Sequence, residues 1–422
     1  MKILVISHSF SPDLTPRAFR WAAIADQLAK LGHKVHILCA AQSSVPDGGD
    51  FVVHRVADRI QRTRASATRG TPMDIATDRS ATHIRSWAKK LIRRLWRGLY
   101  WPDYACGWVI PAAARARELQ TRYNFDHIIT TSHPFSGHLV WLLAGNDKKD
   151  VDWLVDIGDP YSLMAEPAPY NRYLYGWLSA WAESRVLRRA TRVSVTTETT
   201  AELYRYNFQS VRGSIGVIGP LLSLPATPIV PTRTGPPTRV VFVGTLYRDL
   251  RNPTAALQHF EALAKAYPDR HYELHFYGAV NDCGDILAEY VARLPHLVIV
   301  HGLVPREVAA KSMADADALL NIGNHSTTQL GSKVIEYVAV ARPIINIVSM
   351  KGDASGHMLL THPSCVTLSS QSSVRDGQST AKIADFLANP PPITAEYVEN
   401  IRLTHSPEYI TRQYLAMMGA AD

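Results

Sequence analysis

Two blocks of alternating strand and helix patterns, separated by a segment rich in proline and threonine, constrain the fold of this sequence more than any other feature. The first block opens with KILVISHSF, continues with the helical pattern AFRWAAIADQLAKLG and returns to a strand at HKVHILCA. The second block restarts at VVFVGT, after SLPATPIVPTRTGPPTR. Strand–helix–strand alternation predicts a parallel sheet covered by helices. We therefore expect two doubly wound α/β domains joined by a linker.

The position of the linker sets the predicted domain boundaries. We expect an N-terminal Rossmann-like domain over 1–221, a linker over 222–238 and a C-terminal Rossmann-like domain over 239–404. A last helix within 405–422 is expected to pack back on the N-terminal domain. A chain of 422 residues suits two domains better than one core. Open sheets of this kind bind ligands beyond the carboxyl ends of their strands.

The stretch LGSKVIEYVAVARPII, residues 330–345, carries the strongest indication of chemistry. Gly331 and Ser332 end a loop after the strand pattern DALLNIG, and a helical pattern begins near Lys333. A helix N-terminus presents unpaired N–H groups and the positive end of a dipole, so it binds phosphate readily. Glu336, one turn later, is placed to accept hydrogen bonds from two ribose hydroxyls. The pattern predicts a site for a nucleoside diphosphate, to which Lys333 adds a cation.

The sequence GSKVIEYVAVARPII resembles the donor-site motif of family 4 glycosyltransferases. The resemblance implies the GT-B fold, in which two Rossmann-like doubly wound α/β domains face a central cleft. It also implies sugar transfer with retention and without a metal ion or other cofactor. The nucleotide-sugar donor would bind to the C-terminal domain, and the acceptor would bind to the N-terminal domain. UDP-sugars are favoured over GDP-sugars as the donor. The family commonly has two glutamates eight positions apart; Glu336 matches the second, and Thr328 stands where the first would be.

Further segments extend the resemblance over most of the chain. FVGTLYRDLRNP is similar to the loop whose basic residues neutralise the diphosphate, and VIVHGLVPREVAAKSM is similar to the base-recognition segment. In the first half, SFSPDLTPRAFRWAAIADQLAKLGHKV, TTSHPFSGHLV and DWLVDIGDPYS are similar to acceptor-side segments. The predicted catalytic residues are Arg248, Lys333, Glu336, Asp159 and His133. The predicted substrate-binding residues are Gly244, Thr245, Arg251, Gly302, Gly331, Ser332, Arg17 and His138.

The expected chemistry assigns roles to these residues. Departure of a nucleoside diphosphate builds negative charge on the β-phosphate, which arginines, a lysine and a helix N-terminus would stabilise. In retaining transfer the β-phosphate itself would take the acceptor proton, so no dedicated protein base is expected. His133, His138 and Asp159 are candidates for placing sugar hydroxyls. Structural alternatives stay open: Asp159 as a turn former before Pro160, and His138 as a core histidine.

The excess positive charge is confined to one segment. The chain has a net charge of +8, whereas the window from Arg55 to Arg97 alone has 12 Lys or Arg and 3 Asp or Glu, an excess of +9. Within it, HIRSWAKKLIRRLWRGLYW predicts a cationic amphipathic helix, typical of a membrane interface. A helix packed on its own domain is the alternative. The predicted membrane contacts are Trp87, Arg93, Arg94, Trp96 and Arg97.

Other features indicate the compartment. Cys39, Cys106, Cys283 and Cys365 lack CxxC spacing, which disfavours a disulfide framework or a zinc site. The sequence has no apolar run long enough to span a membrane, and its start is too short and polar for a signal peptide. We expect a cytoplasmic protein, peripheral on the inner face of the plasma membrane. No metal requirement is predicted, because no cluster has metal-ligand spacing.

The interpretation is a transferase of bacterial surface polysaccharide synthesis with a membrane-associated, lipid-linked glycan acceptor. A nucleotide-sugar epimerase of the same fold is the alternative. A nucleic-acid-binding protein is less favoured, because the charge is local and no reader motif accompanies it. A dinucleotide dehydrogenase is disfavoured, because the first turn, SHSFSPDLTPR, lacks GxGxxG.

Overall fold

The chain divides into two compact units: Met1–Ile218 with the segment from Thr411 onward, and Gly219–Ile410. The computed structural model describes residues 1–13, 15–41, 50–59, 100–145, 151–164, 172–209, 211, 213–222, 235–371 and 377–419. Most of the predicted linker lies outside the described residues, as do the predicted membrane contacts Trp87, Arg93, Arg94, Trp96 and Arg97.

The first unit is built on a seven-stranded parallel sheet in the order β3-β2-β1-β4-β5-β6-β7. The strands are β1 (Lys2–Ile6), β2 (Lys34–Ala40), β3 (Val52–Val56), β4 (His127–Thr131), β5 (Asp152–Ile157), β6 (Arg192–Val195) and β7 (Ser214–Val217). The helices are α1 (Pro16–Lys30), α2 (Cys106–Tyr123), α3 (Ser136–Ala144), α4 (Arg172–Arg189) and α5 (Glu198–Asn207). The order reverses between β1 and β4, which defines the ligand edge of this sheet.

Local sequence explains these elements. The four residues of β1 after Lys2 are all buried, as expected of a strand covered on both faces. The N-cap of α1 is Thr15, whose hydroxyl accepts from the amide of Ala18 over 3.2 Å, and Pro16 occupies the first turn. Gly32, with φ of 82°, follows this helix in a conformation that favours glycine.

The second unit is built on a six-stranded parallel sheet in the order β10-β9-β8-β11-β12-β13. The strands are β8 (Thr238–Val243), β9 (Tyr272–Tyr277), β10 (Val298–Gly302), β11 (Ala318–Ile322), β12 (Ile344–Val348) and β13 (Cys365–Ser369). The α-helices are α6 (Thr254–Ala266), α7 (Gly284–Arg293), α8 (Arg306–Ala314), α9 (Ser332–Ala339), α10 (Ala354–Leu359), α11 (Gln378–Ala388) and α12 (Ala395–Thr404). A last helix, α13 (Pro407–Met417), begins in this unit and belongs to the first unit from Thr411 onward. The order reverses between β8 and β11, so a ligand is expected at their carboxyl ends.

A buried polar network joins the end of the chain to the first unit. The hydroxyl of Tyr414, in α13, donates to Oδ1 of Asp156 over 2.7 Å and accepts from Nη2 of Arg20 over 2.9 Å. Asp156 also accepts from Nε1 of Trp21 and from the hydroxyl of Ser194. Because all these groups are buried, the bonds hold this part of α13 in one position.

Candidate active site

Glycine-containing loops follow both strands at the reversal point of the second sheet. Gly244 follows β8, and Gly323 and Asn324 follow β11. Parallel strands present their carboxyl ends at one edge, so these loops lie side by side. The loop after β11 leads through Gly331 into α9, as the strand–loop–helix pattern predicted.

Arg251 is fixed between these loops. Its Nε and Nη2 donate to Oδ1 of Asn324 over 3.1 and 2.7 Å, and its Nη1 donates to the carbonyl oxygen of Thr245 over 3.4 Å. A Cβ on Gly244 would lie 3.2 Å from Nη1, and one on Gly331 would lie 2.9 Å from Nη2. Both glycines therefore make room for the guanidinium, and Thr245 contributes its backbone. Burial lowers the pKa of Arg251, whereas Tyr337 and Asp353 raise it.

The first turn of α9 lies beside this cation. Gly331 is its N-cap residue, and the helix begins at Ser332. The hydroxyl of Tyr337, in the same helix, accepts from the amide of Val243 over 2.6 Å, which ties α9 to the end of β8. A guanidinium and a helix N-terminus at one edge form an environment suited to an anion.

Glu336 is buried between two cations. Its Oε2 accepts from Nζ of Lys333 over 2.5 Å, and its Oε1 lies 3.8 Å from Nη2 of Arg306, at the start of α8. The carboxylate side chain is 4% exposed, whereas Lys333 and Arg306 are 29% and 31% exposed. Two cations thus flank this carboxyl group, whose oxygens can accept hydrogen bonds from hydroxyl groups.

Arg248 and Gly302 lie apart from this contact network. Nη2 of Arg248 donates to Oδ1 of Asp285 over 2.5 Å and to the carbonyl oxygen of Asp282 over 2.8 Å, on the exposed surface. Those bonds direct the guanidinium toward α7. Gly302 ends β10 with φ of 68°, and its carbonyl accepts from the amide of Gly278 over 2.7 Å.

Thr328, which stands in place of the first glutamate, is buried in the loop before α9 with its hydroxyl 3.5 Å from that of Ser326. A buried carboxyl lies near the same loop. Oδ1 of Asp353 accepts from the amide of Ser355 over 2.9 Å, and among the described residues Oδ2 has no hydrogen-bond partner. Burial raises the pKa of Asp353 to about 6, outweighing the amide of Ser355 and the charge of Arg251.

The predicted residues of the first unit occupy different environments. His133 and Asp159 are half-buried and follow the carboxyl ends of β4 and β5. His138 is buried within α3, where its Nδ1 lies 2.7 Å from the hydroxyl of Thr130. Burial lowers the pKa of His138 to about 3, so the ring is neutral at physiological pH.

Arg17 is paired with a buried carboxylate. Its Nη1 donates to Oδ2 of Asp156 over 2.9 Å, and its guanidinium packs so closely on Gly158 that a Cβ there would overlap Nη2. Burial tends to raise the pKa of Asp156, but Arg17, Arg20 and the bonds from Tyr414 and Ser194 lower it overall. The charge of Arg17, predicted to bind an anionic ligand, is thus already compensated within the fold.

Sequence reasoning singled out neither Arg306 nor Asn324. Arg306 is a cation at the start of a helix, where the positive end of the helix dipole disfavours positive charge. Arg17 was selected as a candidate on this signal, and Arg306 could have been selected in the same way. Asn324 is a polar residue directly after a buried strand.

In the first unit, sequence patterns also did not indicate His8 and Asp58. Nε2 of buried His8 lies 3.2 Å from Oδ2 of Asp58. His8 follows β1, at the ligand edge of that sheet.

A cavity of about 290 Å³ opens at the carboxyl ends of β11 and β12 in the second unit. Its lining includes Arg248, Asn252 and His325, but not Gly331 or Glu336. The cavity therefore lies beside the contacts around Arg251 and does not include them. Within the described ranges, no helix is long and apolar enough to cross a membrane. Those same residues hold no group of three His, Cys, Asp or Glu arranged to bind a metal ion.

Solved structures share the fold of this chain. A glycosyltransferase from Rickettsia africae ESF-5 is 13% identical, with a TM-score of 0.61 over 99% of this chain and 97% of that one. A structure described as trehalose-6-phosphate from E. coli bound with UDP-2-fluoro glucose is 11% identical, with a TM-score of 0.63 over 100% of both chains. WaaG, a glycosyltransferase involved in lipopolysaccharide biosynthesis, is 12% identical, with a TM-score of 0.59 over 100% of both. The predicted GT-B fold is confirmed.

A family comparison matches the first half of the chain. Residues 18–220 match the model of the family described as glycosyl transferase 4-like domain. No curated protein sequence matches the chain. This domain match and the shared fold together indicate a glycosyltransferase, as the resemblance to family 4 predicted.

Proposed function

We propose that this glycosyltransferase moves a sugar from a nucleoside diphosphate donor to a membrane-associated, lipid-linked glycan in bacterial surface polysaccharide synthesis, with retention and without a metal ion. The observation that carries the donor assignment is the placement of Arg251 between Gly244 and Gly331 at the reversal point of the second sheet. The guanidinium of Arg251 is held by hydrogen bonds beside the N-terminus of α9, an arrangement suited to binding a diphosphate. Glu336, one turn later, is suited to accept hydrogen bonds from the hydroxyls of the attached ribose.

Arg251 and α9 supply the electrostatics of the proposed reaction. Negative charge grows on the β-phosphate as the glycosidic bond to the donor breaks, and a preorganised cation lowers the energy of that state more than that of the bound donor. Lys333 and Arg306 add positive charge on either side of Glu336. Arg248 can join them only after its guanidinium leaves Asp285.

The acceptor side is proposed to use His133 and Asp159, at the ends of β4 and β5. In a retaining transfer the acceptor hydroxyl attacks from the face that the leaving group departs, and the β-phosphate takes its proton. These side chains then position hydroxyls and need not act as bases. The buried ring of His138 would contribute to the shape of this edge through Thr130.

Two further observations support the donor and the acceptor class. The similar E. coli protein is bound with UDP-2-fluoro glucose, which favours a UDP-sugar over a GDP-sugar. WaaG is involved in lipopolysaccharide biosynthesis. The local excess of +9 between Arg55 and Arg97 suits an anionic bilayer. We place the protein at the inner face of the plasma membrane.

A thermal-shift panel of nucleotides and nucleotide sugars tests this function. A ligand that binds only the native state raises the melting temperature, and at 100 times its Kd it adds about 2.7 kcal/mol of stability. We expect UDP and UDP-sugars to stabilise the wild type and Glu307→Ala, whose carboxylate is exposed on α8, and to act weakly on Glu336→Ala. If no nucleotide or conjugate shifts the wild type, the donor assignment fails. Consumption of a nucleotide sugar without any acceptor, forming an epimer, would favour the epimerase instead.

A further inference from the structure

Helix α4 carries a row of exposed aromatic side chains. Tyr173, Trp177 and Trp181 are fully, 73% and 55% exposed. These residues recur every four positions, which places them along one face of a helix. Soluble proteins normally bury such rings, since each offers 150–250 Å² of largely apolar surface. The three exposed rings, which we call the α4 stripe, present roughly 350–550 Å².

The α4 stripe continues into positive charge. Arg185 and Arg188 extend the same face toward the end of the helix, and both are exposed. Arg172 and Arg189 are also exposed. Within Arg172–Arg189, all of which is described, Glu183 is the single acidic residue, and it is 1% exposed. The solvent face of α4 therefore combines aromatic rings with arginines, and the helix itself has no exposed carboxylate.

The buried face of α4 holds the loop that follows β5. Oε2 of Glu183 accepts from the amide of Ser162 over 2.9 Å, and its Oε1 accepts from the amide of Tyr161 over 3.4 Å. The hydroxyl of Tyr161 donates to the carbonyl oxygen of Pro102 over 2.9 Å. This loop begins with Asp159 at the ligand edge. Because α4 runs back from that edge, its aromatic half lies nearest to the edge and its arginine half lies farther away.

We propose that the α4 stripe docks on an anionic lipid bilayer. Its rings would lie in the headgroup region, and Arg185 and Arg188, on the same face, would contact the lipid phosphates. Tryptophan and tyrosine with arginine are the residues that bind the membrane interface. The stripe is smaller than the ~800 Å² per partner of a stable protein interface, which disfavours a second copy of the chain. The positive charge of the arginines on the same face complements an anionic surface. Docking here would bring a lipid-linked acceptor to the edge that holds Asp159, and this part of the inference depends on the proposed function.

Vesicle flotation of the full chain tests the proposal. We compare vesicles of phosphatidylcholine alone with vesicles of phosphatidylcholine and phosphatidylglycerol. The wild type is expected to float with the anionic vesicles. Trp177→Ser/Trp181→Ser removes two half-inserted rings and is expected to lower the partition coefficient at least about tenfold. Arg185→Gln/Arg188→Gln is expected to lower partition on anionic vesicles only.

Matched controls separate the α4 stripe from other exposed apolar residues. Tyr206→Ser on α5 and Leu303→Ser in the second unit remove side chains that are 80% and 82% exposed, and they are expected to float as the wild type does. Unchanged circular dichroism and an unchanged thermal shift with UDP show that the Trp variant is folded and still binds donor. Failure of the wild type to float overturns the proposal, and so does wild-type flotation of the Trp variant. Loss of self-association in light scattering, with flotation unchanged, would assign the stripe to a second copy.

The α4 stripe is also separable from the cationic segment predicted by sequence. Arg93→Ala/Arg94→Ala/Arg97→Ala removes charge from that segment alone. If both surfaces contact the bilayer, each set of variants weakens flotation and the combined variant weakens it further. If the α4 variants have no effect and the triple variant abolishes flotation, α4 is not a docking surface. Absence of any thermal shift by nucleotides refutes the donor assignment and leaves the flotation result unaffected.

Discussion

The guanidinium of Arg251 donates from two nitrogens to a single atom, Oδ1 of Asn324, over 3.1 and 2.7 Å. The two residues belong to loops that follow β8 and β11, 73 positions apart in sequence. This bond fixes a cation at the reversal point of the second sheet before any ligand arrives. Preorganisation of this kind avoids the cost of ordering a flexible arginine on binding.

Replacing the two loop arginines should separate their roles. Arg251→Ala is expected to weaken UDP binding about 10- to 100-fold, because loss of a hydrogen bond to a charged group costs about 1.5–3 kcal/mol. Arg248→Ala, which removes an exposed guanidinium paired with Asp285, is the matched control and should change the Kd much less. Isothermal titration calorimetry measures both. A larger effect from Arg248→Ala would show that Arg248 leaves Asp285 to bind phosphate.

A methyl group on Gly331 should disturb the same cation. The added Cβ would lie 2.9 Å from Nη2 of Arg251, so the guanidinium would have to move away from Asn324. Gly331→Ala is therefore expected to weaken UDP binding about tenfold, a cost of about 1.4 kcal/mol, with little change in melting temperature. Gly284→Ala, at the start of α7, is the control because its Cβ has room, 3.8 Å from Val280. Wild-type affinity of Gly331→Ala would mean that Arg251 does not contact the nucleotide.

Local elements of the fold could be predicted because their signals are local. The helical pattern AFRWAAIADQLAKLG corresponds to α1 (Pro16–Lys30) in the structure. Apolar spacing sets the buried face of this helix, and the hydroxyl of Thr15 accepts from the amide of Ala18 as an N-cap. The change from loop to helix at Gly331 could be predicted for the same reason, since the signal lies within a few consecutive residues.

Long-range partners could not be predicted from a single sequence. The pairing of Arg17 with Asp156, 139 positions away, is one example. Binding of an anionic ligand by Arg17 stays a prediction. Arg306 follows β10, and Glu336 follows β11. In the sheet these two strands are separated by β9 and β8, and α8 connects them and brings Arg306 to Glu336. Sequence periodicity does not reveal this strand order. Sequence spacing identifies residues of the right chemistry, and only the order of the strands determines which of them meet.

Stability should depend on the protonation of Asp353. Its pKa is raised by burial to about 6, whereas an unfolded aspartate titrates near 3.9. Between about pH 4 and pH 6 the folded state keeps a proton that the unfolded state has lost, so the free energy of unfolding falls as pH rises through this window. Two pKa units correspond to about 3 kcal/mol.

Asp353→Asn should remove this dependence, because asparagine can still accept from the amide of Ser355 and does not ionise. Its free energy of unfolding in urea is expected to equal that of the wild type below about pH 4 and to exceed it by up to about 3 kcal/mol above pH 6. Asp385→Asn, at an exposed position on α11, is the control and should change stability by less than about 0.5 kcal/mol at either pH. A constant difference between Asp353→Asn and the wild type from pH 4 to pH 8 would contradict the assignment.

The last helix should depend on one buried hydroxyl. Tyr414→Phe removes the donor to Asp156 and the acceptor for Arg20 while keeping the ring against Trp21. Because both partners are charged and buried, the free energy of unfolding should fall by about 2–3 kcal/mol, as measured by urea unfolding at pH 7. Asp156 has a lowered pKa, so the stability that it contributes is present above about pH 4 and is lost as pH falls toward its folded pKa. Tyr409→Phe, in the same helix at a 38% exposed position, is the control. Equal effects of the two changes would mean that the network does not hold α13 in place.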